Sequence, residues 1–130
     1  MNTYIDCDKV YIKNTHHGLG VFARDNIAKG DIVERGIMFI VDGADGNSTP
    51  HLHTIDRDKN LWASGSGCFN IYNHSETPNI NKKMQDPSWR ADDKVIYVEM
   101  IALKDITANE ELRSRYNSRK WRECFKNLED

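Results

Sequence analysis

The stretch Cys68-Phe69-Asn70-Ile71-Tyr72-Asn73-His74-Ser75-Glu76-Thr77-Pro78-Asn79 constrains this chain more than any other. It begins half-apolar, with aromatic rings at Phe69 and Tyr72, and ends in a dense polar cluster, Asn73-His74-Ser75, followed by Pro78-Asn79. A strand interior does not suit Asn, His and Pro together. A solvent loop does not need large apolar residues packed against them. The composition therefore implies backbone held in a partly buried place, beside something that takes hydrogen-bond donors and acceptors.

At 130 residues the chain is expected to form a single domain spanning 1–130, with a real core but no room for two. Its longest apolar run, Val95 to Leu103, is broken by Glu99 and falls well short of a membrane span. Met1-Asn2-Thr3-Tyr4-Ile5-Asp6 lacks the basic region and apolar stretch of a secretory signal, so an intracellular, non-secreted protein is expected. The net charge of -2 and the lack of a dense basic patch argue against a nucleic-acid partner. Cys7, Cys68 and Cys124 are odd in number and widely spaced, which indicates reduced structural thiols rather than a disulfide framework or a zinc module.

The pattern is mostly that of short strands. Val10 to Lys13 reads as a strand ended by the turn Asn14-Thr15-His16-His17-Gly18, with Leu19 to Ala23 as the next strand. Ile32 to Val41 is a β-branched apolar run, and Asp42 to Asn60 a long polar excursion ended by Leu61-Trp62-Ala63. A loop is expected over Gln85 to Lys94. Val95 to Leu103 is the strongest strand, and its two-sided apolarity predicts burial on both faces. After Ser118, a plausible N-cap, Trp121, Phe125 and Leu128 recur at helical spacing and predict a short terminal helix.

One segment is echoed. Ala23, Ile27 and Gly30 correspond to Ala102, Ile106 and Asn109, each 79 residues further on. Gly30 and Asn109 are the residue types that most readily adopt a left-handed turn, so two similar corners are expected.

Three features carry candidate chemistry. His51 and His53 could bind an ion, but no carboxylate or cysteine stands at ligand spacing beside them, so surface histidines and no metal centre are expected. Gly18-Leu19-Gly20 lets backbone approach a ligand closely, yet lacks the third glycine of a dinucleotide site. Glu110-Glu111-Leu112-Arg113-Ser114-Arg115-Tyr116 ends in a tyrosine that alone reads as a packing residue with a wet hydroxyl.

The order Gly-x-Gly-Val-Phe-Ala, Asn-His-Ser-x-x-Pro-Asn and Glu-Glu-Leu-x-x-x-Tyr, at Gly18–Ala23, Asn73–Asn79 and Glu110–Tyr116, resembles the SET-domain protein-lysine methyltransferases. The likeness runs from about Val10 to Trp121, and the short length is similar to the stand-alone viral and bacterial members without zinc-binding flanking modules. The resemblance implies a mostly β fold of the β-clip type: small curved sheets around a pseudoknot, in which the C-terminal motif threads beneath the Asn-His-Ser loop. Knots are rare, and composition alone would not suggest one.

The resemblance further implies an S-adenosylmethionine cofactor. Gly18, Leu19 and Gly20 would offer it backbone groups, and the Asn73 side chain and His74 backbone would hold its amino-acid and adenine parts. Tyr116 would stand at the methyl-transfer pore as an aligner. Trp121 reads two ways, as a cover for the adenine ring or as the core-facing residue of the terminal helix. The implied partner is a protein or peptide bearing a lysine, such as a histone-type tail, added as an extra strand beside the insert 42–60. By analogy a homodimer and a cytoplasmic or host-cell nuclear setting are compatible. Asn109, Arg113, Arg115, Glu76 and Leu19 depart from the family's usual residues. A SET-like binding module without catalysis is the alternative function.

Overall fold

The computed structural model describes residues 5–16, 18–41, 43–44, 46, 52–56, 60–84 and 95–116. These form nine strands and, among the described residues, no helix: β1 (Val10–Thr15), β2 (Gly18–Ala23), β3 (Ile32–Ile40), β4 (His53–Asp56), β5 (Leu61–Gly65), β6 (Asn73–His74), β7 (Ile80–Met84), β8 (Val95–Ala102) and β9 (Glu111–Ser114). The expected terminal helix with Trp121, the 85–94 loop, His17, His51 and Cys124 lie outside the described residues.

The strands make two small sheets. One has the order β1-β2-β9-β6 and the other β4-β5-β3-β8-β7. Every pairing is antiparallel except β6 with β9, which is parallel and sets Asn73 opposite Arg113 and His74 opposite Ser114. Parallel neighbours need a crossover. Here it places the segment after Glu110 beside a strand 40 residues upstream in the chain.

The echo is real, and it joins the sheets. Ile27 and Ile106 exchange backbone hydrogen bonds of 2.9 and 2.8 Å. Around that pair two further sets of bonds are matched. Gly30 N donates to Ala102 O (2.8 Å) and Asn109 N to Ala23 O (2.7 Å). Lys29 N donates to the Asp105 carboxylate and Ala108 N to the Asn26 side-chain oxygen, each at 2.9 Å. Gly30 and Asn109 have φ of 89° and 70°, the left-handed turn expected of them. The corners are related by a local two-fold built from residues 79 apart.

Three expectations need correction. β8 is not buried on both faces: Ile96, Val98, Met100 and Ala102 are core, whereas Tyr97, Glu99 and Ile101 are half-buried. The outer face is apolar enough to read as core, but it carries the Glu99–Arg35 ion pair (3.5 Å). The polar excursion 42–60 is not all loop, because it contains β4 paired with β5. His53 on β4 is no surface histidine: its Nε2 pairs with Asn70 Oδ1 and its Nδ1 with Lys82 Nζ, both at 3.0 Å. The paired polar side chains let a polar segment sit against the sheet.

Candidate functional site

The Asn73–Asn79 loop encloses the chain from Glu110 to Tyr116, and Asn79 is the main fastening. This residue is 6% exposed and spends every polar group it has. Its side-chain amide donates to Glu110 Oε2 (2.9 Å) and Glu111 O (2.8 Å), and its Oδ1 accepts from Arg113 N (2.9 Å). Its backbone N donates to Arg113 O (3.2 Å), and its carbonyl accepts from Leu103 N (2.8 Å). The asparagine carboxamide offers two donors and an acceptor in one planar group, and all three are used here, so the Pro78-Asn79 end of the stretch is a structural clasp.

His74 is the second fastening. Its buried ring accepts the Tyr116 backbone N–H at Nδ1 (2.9 Å), so the hydrogen sits on Nε2 and is donated to Glu76 Oε1 (3.2 Å). Glu76 also pairs with Arg115 (3.4 Å). The His74 and Tyr116 rings pack at 5.2 Å and 54°. The Tyr116 hydroxyl is not merely wet, because it donates to the carbonyl of Tyr72. Both ends of Tyr116 are therefore held from the 72–74 segment, one by backbone and one by side chain.

Asn73 ties this segment to the glycine strand. Its Nδ2 donates to Leu19 O (3.1 Å) and to Glu111 Oε2 (2.9 Å). Gly20 sits under that junction: a Cβ there would lie 2.7 Å from Glu111 Oε2 and 3.3 Å from Asn73 Nδ2. Gly18 has φ of 103° and open space about it, and Leu19 is half exposed. Of the residues picked from sequence, Gly18, Leu19, Gly20, Asn73, His74 and Tyr116 are thus brought into one neighbourhood. Trp121 lies outside the described residues.

Sequence reasoning passed over two participants. Glu111 bridges Gly20 and Asn73, and Glu34 lies beneath Tyr72 with 1% exposure. Glu34 accepts from the Tyr72 hydroxyl (2.6 Å) and from Cys68 N (2.9 Å). Burial pushes the Glu34 carboxyl above its ordinary range, against the pull of those two bonds. Burial likewise pushes the Tyr72 phenol well up, and the Cys68 thiol to about 12. A lone carboxylate inside the β-branched run Ile32-Val33-Glu34 was the available signal.

A profile of the SET domain matches residues 18–117, and the chain belongs to that family. The fold is similar to that of a Plasmodium falciparum protein provisionally assigned as a histone methyltransferase, with 23% identity, a TM-score of 0.66, and 84% of this chain and 97% of that one covered. It is also similar to a chain of Chaetomium thermophilum Polycomb Repressive Complex 2 in an autoinhibited conformation bound to S-adenosylmethionine, with 21% identity, a TM-score of 0.63, and 87% and 16% covered. A humanized mutant of that complex bound to an inhibitor gives 22% identity, a TM-score of 0.64, and 87% and 15% covered. The chain spans only a small part of those polycomb chains. No curated protein matches the sequence.

Proposed function

We propose that this protein transfers methyl groups from S-adenosylmethionine to lysine side chains of proteins, with histone-type basic tails as the substrate class. The observation that carries the reading is the joint fastening of Tyr116 by His74 and by the Tyr72 carbonyl, beside the Gly20–Asn73–Glu111 junction.

The residues present fit the cofactor's amino-acid end. Asn73 spends both amide hydrogens on Leu19 and Glu111, which leaves its Oδ1 as an acceptor for an ammonium. Arg113, opposite Asn73 in the β6–β9 register, has a buried Nε with no hydrogen-bond partner among the described residues, a donor suited to a carboxylate. Gly20 keeps the backbone open to close approach. When bound, S-adenosylmethionine supplies an electrophilic methyl on a positive sulfur.

The chain's own residues position the other reactant. A lysine amine of pKa about 10.4 is nearly all protonated at neutral pH. Desolvation beside a positive charge favours its neutral, nucleophilic form. The Tyr116 hydroxyl, already aimed by Tyr72, then aligns the amine lone pair; after transfer the methylated amine releases its extra proton to solvent, and the hydroxyl keeps its own. This is positioning and electrostatics, with no covalent enzyme intermediate.

The test is transfer of radiolabelled methyl groups from the cofactor to histones and to cell extract. Incorporation into lysine supports the proposal. Cofactor binding without transfer to any substrate would instead favour a SET-like binding module. A sharper local check is Gly20→Ala. The new methyl must displace the Glu111 carboxylate and cost Asn73 a partner, so cofactor affinity by calorimetry is expected to fall about tenfold. Unchanged affinity would remove this junction from the binding site.

A further inference from the structure

Glu34 holds both ends of the segment that precedes the Asn-His-Ser motif. Cys68 N donates to its Oε2 (2.9 Å), and the Tyr72 hydroxyl donates to its Oε1 (2.6 Å). Between them Ile71 N closes a turn on Cys68 O (2.9 Å). Gly67, with φ of 55°, lies against the same carboxylate so closely that any Cβ would collide with Oε2. The segment is therefore wrapped around one buried side chain from β3. Its last residue, Tyr72, presents the carbonyl that accepts the Tyr116 hydroxyl.

We infer that Glu34 is a positioning residue for Tyr116, acting through Tyr72: by clamping the Tyr72 ring it fixes the carbonyl that aims the Tyr116 hydroxyl. The kinetic part of this inference rests on the reading of Tyr116 as the amine aligner; the coupling itself does not. Ionised, Glu34 accepts from both donors. Protonated, one of its oxygens becomes a donor, and only the Tyr72 hydroxyl can reverse to receive it, since the Cys68 amide cannot. A change at Glu34 is therefore passed to Tyr72 first.

The groups facing Glu34 define what titrates. Asp6 raises its proton affinity further, after burial, and Cys7 and Cys68 lie beside it. Lys9, Asp31 and Arg35 share with it a pocket of about 460 Å³. Cys68 and Tyr72 hold their protons well beyond neutrality, so of the Glu34–Tyr72–Cys68 cluster it is Glu34 that exchanges one in the acid-to-neutral range.

The experiment is NMR of the full chain labelled with ¹³Cζ tyrosine, titrated from roughly pH 4 to 8, with Tyr72 and Tyr116 assigned by Tyr→Phe variants. In the unmodified protein, Tyr72 and Tyr116 are expected to shift with a common midpoint above the ordinary carboxylate value of 4.5. In Glu34→Gln that component disappears from both. His74, Glu76 and Arg115 also face or flank Tyr116, so only the component lost in Glu34→Gln counts as coupling. A Tyr116 titration unchanged by Glu34→Gln overturns the inference, whether or not the protein proves to be a methyltransferase. If Glu34→Gln does not fold, Tyr72→Phe is read in the same way at Tyr116. Where methyl transfer is measured, Glu34→Gln is expected to lower kcat about tenfold with cofactor Kd unchanged, and to lower it less than about twofold in a Tyr116→Phe background. Equal losses in both backgrounds would make Glu34 a structural support only.

Discussion

Asn79→Ala is expected to lower the free energy of unfolding by on the order of 3 kcal/mol, read from urea unfolding with an unchanged slope. The truncation removes three side-chain bonds at once. It leaves the Arg113 amide, the Glu111 carbonyl and the Glu110 carboxylate short of a partner, in a place where water does not enter freely. Each buried group so stranded costs roughly 1–3 kcal/mol, and the Glu110 carboxylate, being half-buried, recovers part of that from solvent. Asn79→Asp separates shape from chemistry. It keeps the acceptor for Arg113 but replaces two donors by a carboxylate facing that of Glu110, so it is expected to be at least as damaging above the ordinary carboxylate range and milder below it. A loss under about 1 kcal/mol for Asn79→Ala would mean that the enclosed segment is held mainly by its backbone pairing.

Asn79 also shows how far the sequence could be read. Its presence in the motif was legible, and so was the family that the motif marks. Its work was not, because the partners of the Asn79 side chain lie more than 30 residues away and no periodicity connects them. The paired corners were legible for the opposite reason. They are written twice in similar residues, and Gly30 and Asn109 announce a left-handed turn that few other residues adopt. Local patterning misled at β8, where a half-covered outer face carries Tyr97 and Ile101 and so resembles a core face. It misled again at His53, whose polar neighbourhood in sequence hides its pairing with Asn70 and Lys82. Glu34 stood in plain view as one carboxylate in an apolar strand, but what makes it tolerable comes from Tyr72 and Cys68, over 30 residues on. Features set by backbone conformation can be read locally. Those set by long-range hydrogen bonds cannot.

Tyr116→Phe is the variant expected to separate binding from chemistry. The ring should stay where it is, because His74 packs against it at 5.2 Å and accepts the Tyr116 backbone amide at 2.9 Å, and neither contact uses the hydroxyl. What disappears is the bond to the Tyr72 carbonyl and the oxygen that would align a substrate amine. Stability is therefore expected to fall by only about 1 kcal/mol, the ordinary net worth of one hydrogen bond. Cofactor affinity should stay within about twofold, since Gly20, Asn73 and Arg113 are untouched. The rate of methyl transfer at saturating substrate should fall about a hundredfold, or about 2.7 kcal/mol of transition-state stabilisation, in the range for removing one preorganised polar group. Single-turnover transfer beside calorimetric cofactor binding measures the two quantities separately. If affinity falls in step with rate, the hydroxyl belongs to the cofactor wall and the alignment role is wrong. If neither changes, the amine must find its orientation elsewhere, and Glu34→Gln, which reaches the amine only through this hydroxyl, should then be silent as well.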